Sequence, residues 1–151
     1  MSSLSLARKH ALISGSAWLV ITVAFLAVFF HVGPEAFTFE EHKGARLLTA
    51  AIILPGYLLN FALMARSRRG RRRGELDERD NSVERKASMI TLTIMIVAFY
   101  LATIGLYEQH REAGAVPVGW MYFLAYGSVA LVSLVHPVAA LVVDVTGSID
   151  G

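Results

Sequence analysis

Histidine and acidic residues occur twice in the same short pattern, and this pattern could bind a metal ion. Phe39-Glu-Glu-His-Lys43 and Tyr107-Glu-Gln-His-Arg111 share the order aromatic, glutamate, acid or amide, histidine and base. Imidazole nitrogen and carboxylate oxygen are zinc ligands, so the two segments form a candidate site if they meet. The predicted ligands are Glu40, His42, Glu108 and His110. The alternative is that all four are ordinary surface polar residues, because short motifs often match by chance.

Basic residues form a second candidate site in the middle of the chain. Six arginines lie within eight residues, and acidic residues follow them directly. Such a cluster attracts anionic lipid headgroups or an acidic protein surface, and it could also act only as a topology signal. A nucleic-acid target is less favoured, because the cluster directly follows an apolar stretch. The predicted partner- or lipid-binding residues are Arg66, Arg68, Arg69, Arg71, Arg72, Arg73, Asp77, Glu78, Arg79 and Asp80.

Asn60 and His136 are polar residues inside otherwise apolar stretches, where polar groups are functional candidates. Pro137 follows His136 and leaves the carbonyl of Ser133 without its helical partner, so we expect His136 to have a structural role. Axial ligation of haem is the alternative, although it commonly needs a second ligand at matching depth. The chain has no cysteine, which excludes thiolate chemistry. No acidic or basic residue lies deep in these stretches, which argues against a proton-coupled pump.

Four stretches without formal charge must position these residues. They are Ala11–Phe30, Leu47–Ala65, Ser88–Tyr107 and Val116–Val143. Each approaches or exceeds the ~20 residues with which a helix crosses a bilayer. The sequence therefore predicts an integral membrane protein, all-α, with four transmembrane helices in a bundle. The expected single domain is 1–151, with helices at about 11–31, 45–65, 82–107 and 117–143 and a charged loop at 66–81.

Basic residues also predict how the chain is oriented. The segment from Arg66 to Lys86 has nine of them, that from His31 to Arg46 has two, and that from Glu108 to Ala115 has one. Lysine and arginine in short loops stay in the cytoplasm, so this rule places the central segment and both chain ends there. The hairpins 11–65 and 88–143 then run in the same direction, each with a proline in its second helix.

A motif before the third stretch carries a family resemblance. Leu76-Asp-Glu-Arg-Asp80 and then Glu84-Arg-Lys-Ala-Ser88 lead into an apolar helix. The chain resembles small predicted bacterial membrane proteins of unknown function, which have four membrane helices and an Asp-Glu-Arg-Asp motif before the third. The resemblance covers roughly Gly74–Ser88 and the helix count. Such proteins are often encoded beside helix-turn-helix regulators, so the resemblance implies a regulatory pairing and no established chemistry.

The absence of a nucleophile–base pair, a phosphate loop or a carboxylate dyad in the sequence favours a protein that is not an enzyme. The expected function is that of an interaction, regulatory or accessory subunit acting through the charged loop. A small oligomeric transporter or channel, linked to a divalent metal at its outer face, is the alternative. No cofactor is predicted beyond the zinc and haem alternatives. The expected partners are membrane lipids, a cytoplasmic regulatory protein and further copies of the chain, in a bacterial cytoplasmic membrane.

Overall fold

The computed structural model describes residues 6–72 and 78–147, with side chains for 8–66 and 79–146. Its helices are α1 (Leu6–Val32), α2 (Lys43–Arg72), α3 (Glu78–His110) and α4 (Gly119–Gly147), and a 3₁₀ turn, Glu40–His42, precedes α2. All four helices contain a segment long and apolar enough to cross a membrane. The predicted all-α class and the four predicted spans are confirmed.

α2 and α3 continue beyond their apolar stretches into the charged segment. We expected a loop at 66–81, whereas α2 stays helical to Arg72 and α3 begins at Glu78. Arginine and glutamate are good helix formers, and a hydropathy pattern marks where charges begin rather than where the helical backbone ends. Most of the predicted loop is therefore helical backbone.

Glycines end two of the helices. Gly33 follows α1 with φ 85° and Gly114 follows α3 with φ 67°. Their N–H groups donate to Phe29 O at 2.9 Å and to His110 O at 3.1 Å. This left-handed conformation suits glycine, which has no Cβ to clash with the preceding turn. Gly33 is thus the first residue of the α1–α2 loop, and Gly114 closes the turn that follows the end of α3 at His110.

α4 packs against both α1 and α3, and α1 also packs against α2. The principal contacts therefore follow the order α2, α1, α4, α3. A cluster of buried side chains joins α1, α2, α4 and the α1–α2 loop. Among the described residues, α3 contributes none to this cluster. Its members are Trp18, Phe25, Phe29, Phe37, Ile53 and Ala130. We call α1, α2 and α4 the three-helix core.

Aromatic rings fill the end of this core that lies near the α1–α2 loop. The centroid of Phe29 lies 5.0 Å from that of Phe37, 5.1 Å from Phe123 and 5.8 Å from Trp120. Aromatic pairs at such spacings stabilise beyond the area that they bury. Phe37 belongs to the loop and not to a helix, so the loop itself closes this end of the core.

The opposite half of the core depends on a close approach of α1 to α2 at Gly56. A Cβ added there would lie 2.7 Å from Cζ2 of Trp18 and 2.8 Å from Cδ1 of Ile21. Small residues allow membrane helices to pack closely, and the missing side chain at Gly56 leaves the space that the Trp18 ring occupies. Trp18 is consequently fully buried.

α3 is attached to the rest of the protein by a narrow stripe. Its buried residues are Val83, Ala87 and Thr91, four positions apart, which places them on one helix face. In the most apolar segment of α3 only 6% of the residues are buried, whereas the share is 17% in each of the other three spans. α3 packs along α4, with this stripe as the buried part of the contact, and most of the remaining α3 surface is exposed.

Candidate functional site

A hydrogen-bonded polar cluster joins the three helices of the core. The Oδ1 atom of Asn60 accepts a hydrogen bond from Trp18 Nε1 at 3.1 Å and one from Ser14 Oγ at 3.3 Å. Asn60 Nδ2 donates to Ser133 Oγ at 3.3 Å. We call Ser14, Trp18, Asn60 and Ser133 the polar cluster. One amide on α2 thereby links α1 and α4, and the predicted intramembrane residue Asn60 lies at its centre.

The sequence positions this cluster through helical spacing. Ser14 and Trp18 are four residues apart and share one face of α1. On α2, Asn60 follows Gly56 by one turn, so the close approach at Gly56 brings the amide to the indole. A buried indole N–H needs an acceptor, and Asn60 supplies it. Amide, hydroxyl and indole groups do not ionise near neutral pH, so the cluster can bind by hydrogen bonds but carries no charge.

His136 lies on α4, three residues after Ser133, and is partly buried. Within residues 8–66 and 79–146, no hydrogen bond to its side chain is present. Pro137 beside it is buried against α1, where a Cβ added to Gly15 would lie 3.6 Å from Pro137 Cβ. The predicted structural role of His136 and its haem alternative both stay predictions.

The charged segment is described at its two ends. Arg66 is exposed at the end of the apolar part of α2. Arg79 Nη2 donates hydrogen bonds to the carboxylate Oδ1 and to the main-chain oxygen of Asp144, each at 3.2 Å. This contact joins α3 to α4. Asp80 is partly buried. The side chains of the other predicted binding residues lie outside the described ones: Arg68, Arg69, Arg71, Arg72, Arg73, Asp77 and Glu78.

The predicted metal ligands of the α1–α2 loop have charged side chains as neighbours close by in the chain. Glu40 lies 3.6 Å from Lys43 Nζ and 3.6 Å from Arg46 Nη2. His42 Nε2 lies 3.7 Å from Glu41 Oε1. Both predicted ligands are therefore next to groups of the same loop and the start of α2.

The other two predicted ligands, Glu108 and His110, lie in the last turn of α3 and likewise contact groups close by in the chain. Glu108 accepts from Arg111 Nη1 at 3.4 Å, and His110 Nδ1 lies 3.0 Å from Leu106 O. Among the described residues, which include all four predicted ligands, no group of three or more acidic or histidine residues could hold a metal ion. The four predicted ligands therefore do not come together as such a group in the described structure.

No role for Arg46 beyond its charge was predicted from the sequence. Its side chain is only 17% exposed, and Nη1 donates to Phe37 O at 2.9 Å and to Phe39 O at 2.7 Å. It therefore holds the α1–α2 loop over the core. A signal was available, because a cation in the first turn of a helix opposes the helix dipole and must be favoured by other contacts.

The partners of Asn60 were also missed. Ser14 and Trp18 belong to the first apolar stretch and Ser133 to the fourth, and hydropathy does not say which helices are neighbours. The available signal was the one-turn spacing of Ser14 and Trp18, since a hydroxyl and an indole on one membrane-helix face need an acceptor.

Comparison with known proteins agrees with the four-span architecture. A family model described as "Predicted membrane protein (DUF2178)" matches residues 12–140, a range that reaches from α1 to α4. No curated protein matches the chain. No solved structure matches it either.

Proposed function

The chain belongs to the DUF2178 family of predicted membrane proteins, and we propose that it is a non-enzymatic interaction or regulatory subunit. The charged segment 66–81 is the proposed contact site. The distribution of basic residues supports an orientation with this segment and both chain ends in the cytoplasm, and with the α1–α2 and α3–α4 loops outside. The proposed location is the cytoplasmic membrane of a bacterium.

The filled interior is the observation that carries this proposal. Trp18, Phe25, Phe29 and Phe37 are 0% exposed, and Ile53 is 1% exposed. A transport path needs polar groups that face water or one another along its length. A core filled with rings instead supports a protein that acts through its surfaces.

The extension of α2 makes the basic part of the proposed contact site helical up to Arg72. The helix continues from the apolar stretch to Arg72, so the arginines up to Arg72 follow one helix axis directly beside the membrane. Each basic residue near an anionic membrane surface contributes about 1 kcal/mol of attraction. The same charges suit an acidic surface of a cytoplasmic regulatory protein. The acidic residues from Glu75 onward can pair with the arginines of the same chain, so a partner must displace them to bind.

Photo-crosslinking in intact membranes tests the proposal. A photoreactive residue at Gly74 should form an adduct with a partner protein, and the same residue at Gly114 should not. Replacement of the five arginines Arg68, Arg69, Arg71, Arg72 and Arg73 by glutamine should abolish the adduct, because the attraction is electrostatic. The matched variant with five lysines should keep it, and higher salt should weaken it.

Topology reporters at Gly74 and Gly114 serve as the control, because the same arginines set orientation. Both positions must keep their expected cytoplasmic and external sides in every variant. An adduct that survives the glutamine replacement, or adducts with lipid alone at both positions, would contradict a protein partner at this segment.

The polar cluster is the one observation that favours the transporter or channel alternative. Asn60 is a hydrogen-bonding group within the apolar part of α2, where transporters place ligand contacts. Its Oδ1 and Nδ2 atoms are, however, already bonded to Trp18, Ser14 and Ser133. The cluster therefore supports a structural role more strongly than it supports a ligand site.

A further inference from the structure

α3 carries an exposed line of six residues, of which Thr93, Tyr100, Thr103 and Tyr107 bear hydroxyl groups. We call it the hydroxyl seam: Met89, Thr93, Ile96, Tyr100, Thr103 and Tyr107. Successive members are four, three, four, three and four residues apart. All six are exposed, with Met89 and Tyr100 at 65% and Ile96 and Tyr107 at 61%. This alternation of four and three is the spacing with which one helix contacts another along a left-handed pair.

The seam points away from the rest of the protein. At about 100° of rotation per residue, its centre lies roughly 180° around α3 from the buried stripe at Val83, Ala87 and Thr91. The neighbouring flank of the helix is aliphatic and consists of Ile94, Val97, Leu101 and Ile104. Within residues 89–107, the exposed hydroxyl groups of α3 thus lie on one line and are not scattered over the lipid-facing surface.

Tyr100 is the member that a lipid environment does not satisfy. Thr93 and Thr103 donate to main-chain oxygens of their own helix, at 3.0 Å to Met89 and 2.8 Å to Phe99. Tyr100 has no hydrogen bond to any described residue.

Tyr100 also lies deep in the span. It is seven residues from Tyr107, or about 10 Å along the helix from that end of the apolar stretch. Side chains on a helix lean toward its N-terminus, so the phenol of Tyr100 leans away from this nearer membrane surface. A hydroxyl without a partner in hydrocarbon is unfavourable.

We propose that the hydroxyl seam is the contact surface for α3 of a second copy of this chain. Copies in one membrane share an orientation, so the two α3 helices run parallel about a two-fold axis along the membrane normal, and each seam meets itself. The phenol is both donor and acceptor, so Tyr100 is satisfied by its own counterpart. Lipid chains offer no such partner.

The dimer uses a surface that the three-helix core leaves unused. Each copy keeps α1, α2 and α4 as described, and α3 lies between its own α4 and the second copy. The inference goes beyond the proposed regulatory function, because it holds whichever partner the charged segment binds. It also brings two charged segments to the same side of one assembly.

Cysteine crosslinking tests the contact, and the natural absence of cysteine makes each introduced thiol unique. Ile96→Cys and Thr103→Cys lie on the seam. Val97→Cys and Leu101→Cys lie on the aliphatic flank at similar depth, and Leu101 at 62% exposure matches Ile96 at 61%. The full chain is reconstituted at low protein-to-lipid ratio and oxidised. We expect covalent dimers from the seam variants and none from the flank variants.

Energy transfer between labelled copies tests the phenol. Tyr100→Phe should lower the dimer association constant by about 3- to 20-fold, the range for one hydrogen bond between membrane helices. Tyr57→Phe is the control, since Tyr57 is a 48% exposed phenol on α2 that keeps its ring contact with Trp18. Equal crosslinking at seam and flank, or none at the seam, overturns the interface. An unchanged constant for Tyr100→Phe, or an equal loss for Tyr57→Phe, overturns the role of the phenol.

Discussion

The three-helix core and α3 differ in where they place their polar side chains and in how closely they pack on neighbouring helices. Both lie in an apolar medium, where burial of apolar surface does not by itself drive helices together. The core turns its polar groups inward, onto Asn60, and fits Trp18 against Gly56. α3 rests on α4 through the stripe at Val83, Ala87 and Thr91 and turns the four hydroxyl groups of the hydroxyl seam outward. The comparison teaches that polar placement and fit, rather than hydropathy, separate the structural helices from the one that is free to bind.

The largest expected effect is that of Trp18→Ala. This change removes a fully buried ring and leaves Asn60 without its indole donor, so the free energy of unfolding should fall by about 3–5 kcal/mol. Unfolding in mixed detergent micelles measures it. Leu101→Ala on the lipid-facing flank of α3 is the control and should change stability by about 0.5 kcal/mol or less. Similar losses at both positions would remove the distinction between core and α3.

A smaller effect separates two glycines. Gly56→Ala places a methyl group against the Trp18 ring, and overpacking of this kind should cost about 1–3 kcal/mol. Gly105→Ala on α3 meets no atom within 4 Å and should be neutral or stabilise by up to about 1 kcal/mol through helix propensity. The same unfolding assay measures both. Destabilisation by Gly105→Ala would show that α3 has a close neighbour at that position within one copy.

The smallest effect concerns the ion pair that joins α3 to α4. A double-mutant cycle of Arg79→Gln and Asp144→Asn should give a coupling energy of only about 0.2–1 kcal/mol, because the Arg79 side chain is 55% exposed and well solvated. The coupling should decrease as salt is raised. A value that is independent of salt would contradict a solvated pair and would mean that the contact is shielded from water.

The spans of the four helices followed from sequence, whereas their neighbours did not. Runs such as Leu47–Ala65 have the length and hydropathy of a membrane helix, and that signal is local. The ends were misplaced where charged helix formers continue a helix, as at Arg72. Local signals also revealed Asn60 as a polar group in an apolar run, but Trp18 and Ser133 could be identified as its partners only from the arrangement of helices.

The repeated aromatic-Glu-x-His-base pattern is a second case in which a local sequence signal does not predict which segments meet. It correctly marks two short segments next to helix ends, but a shared pattern does not bring them together. His42 precedes α2 and His110 ends α3, and those two helices pack on different neighbours. Each segment instead uses nearby groups, Glu41 beside His42 and Arg111 beside Glu108. Convergence of ligands is a property of tertiary packing, which a motif of five residues does not encode.

The position of α4 in the packing order has a consequence for biosynthesis. It follows the other three helices in the chain, yet α1 and α3 both pack on it. While the ribosome is still translating α3, Phe25 and Phe29 lack their α4 neighbours, and Asn60 lacks Ser133. Assembly of the interior must therefore wait until α4 has been inserted. In a nascent chain that stops before Gly119, the Asn60 Nδ2 and the rings of Phe25 and Phe29 still face the bilayer instead of α4.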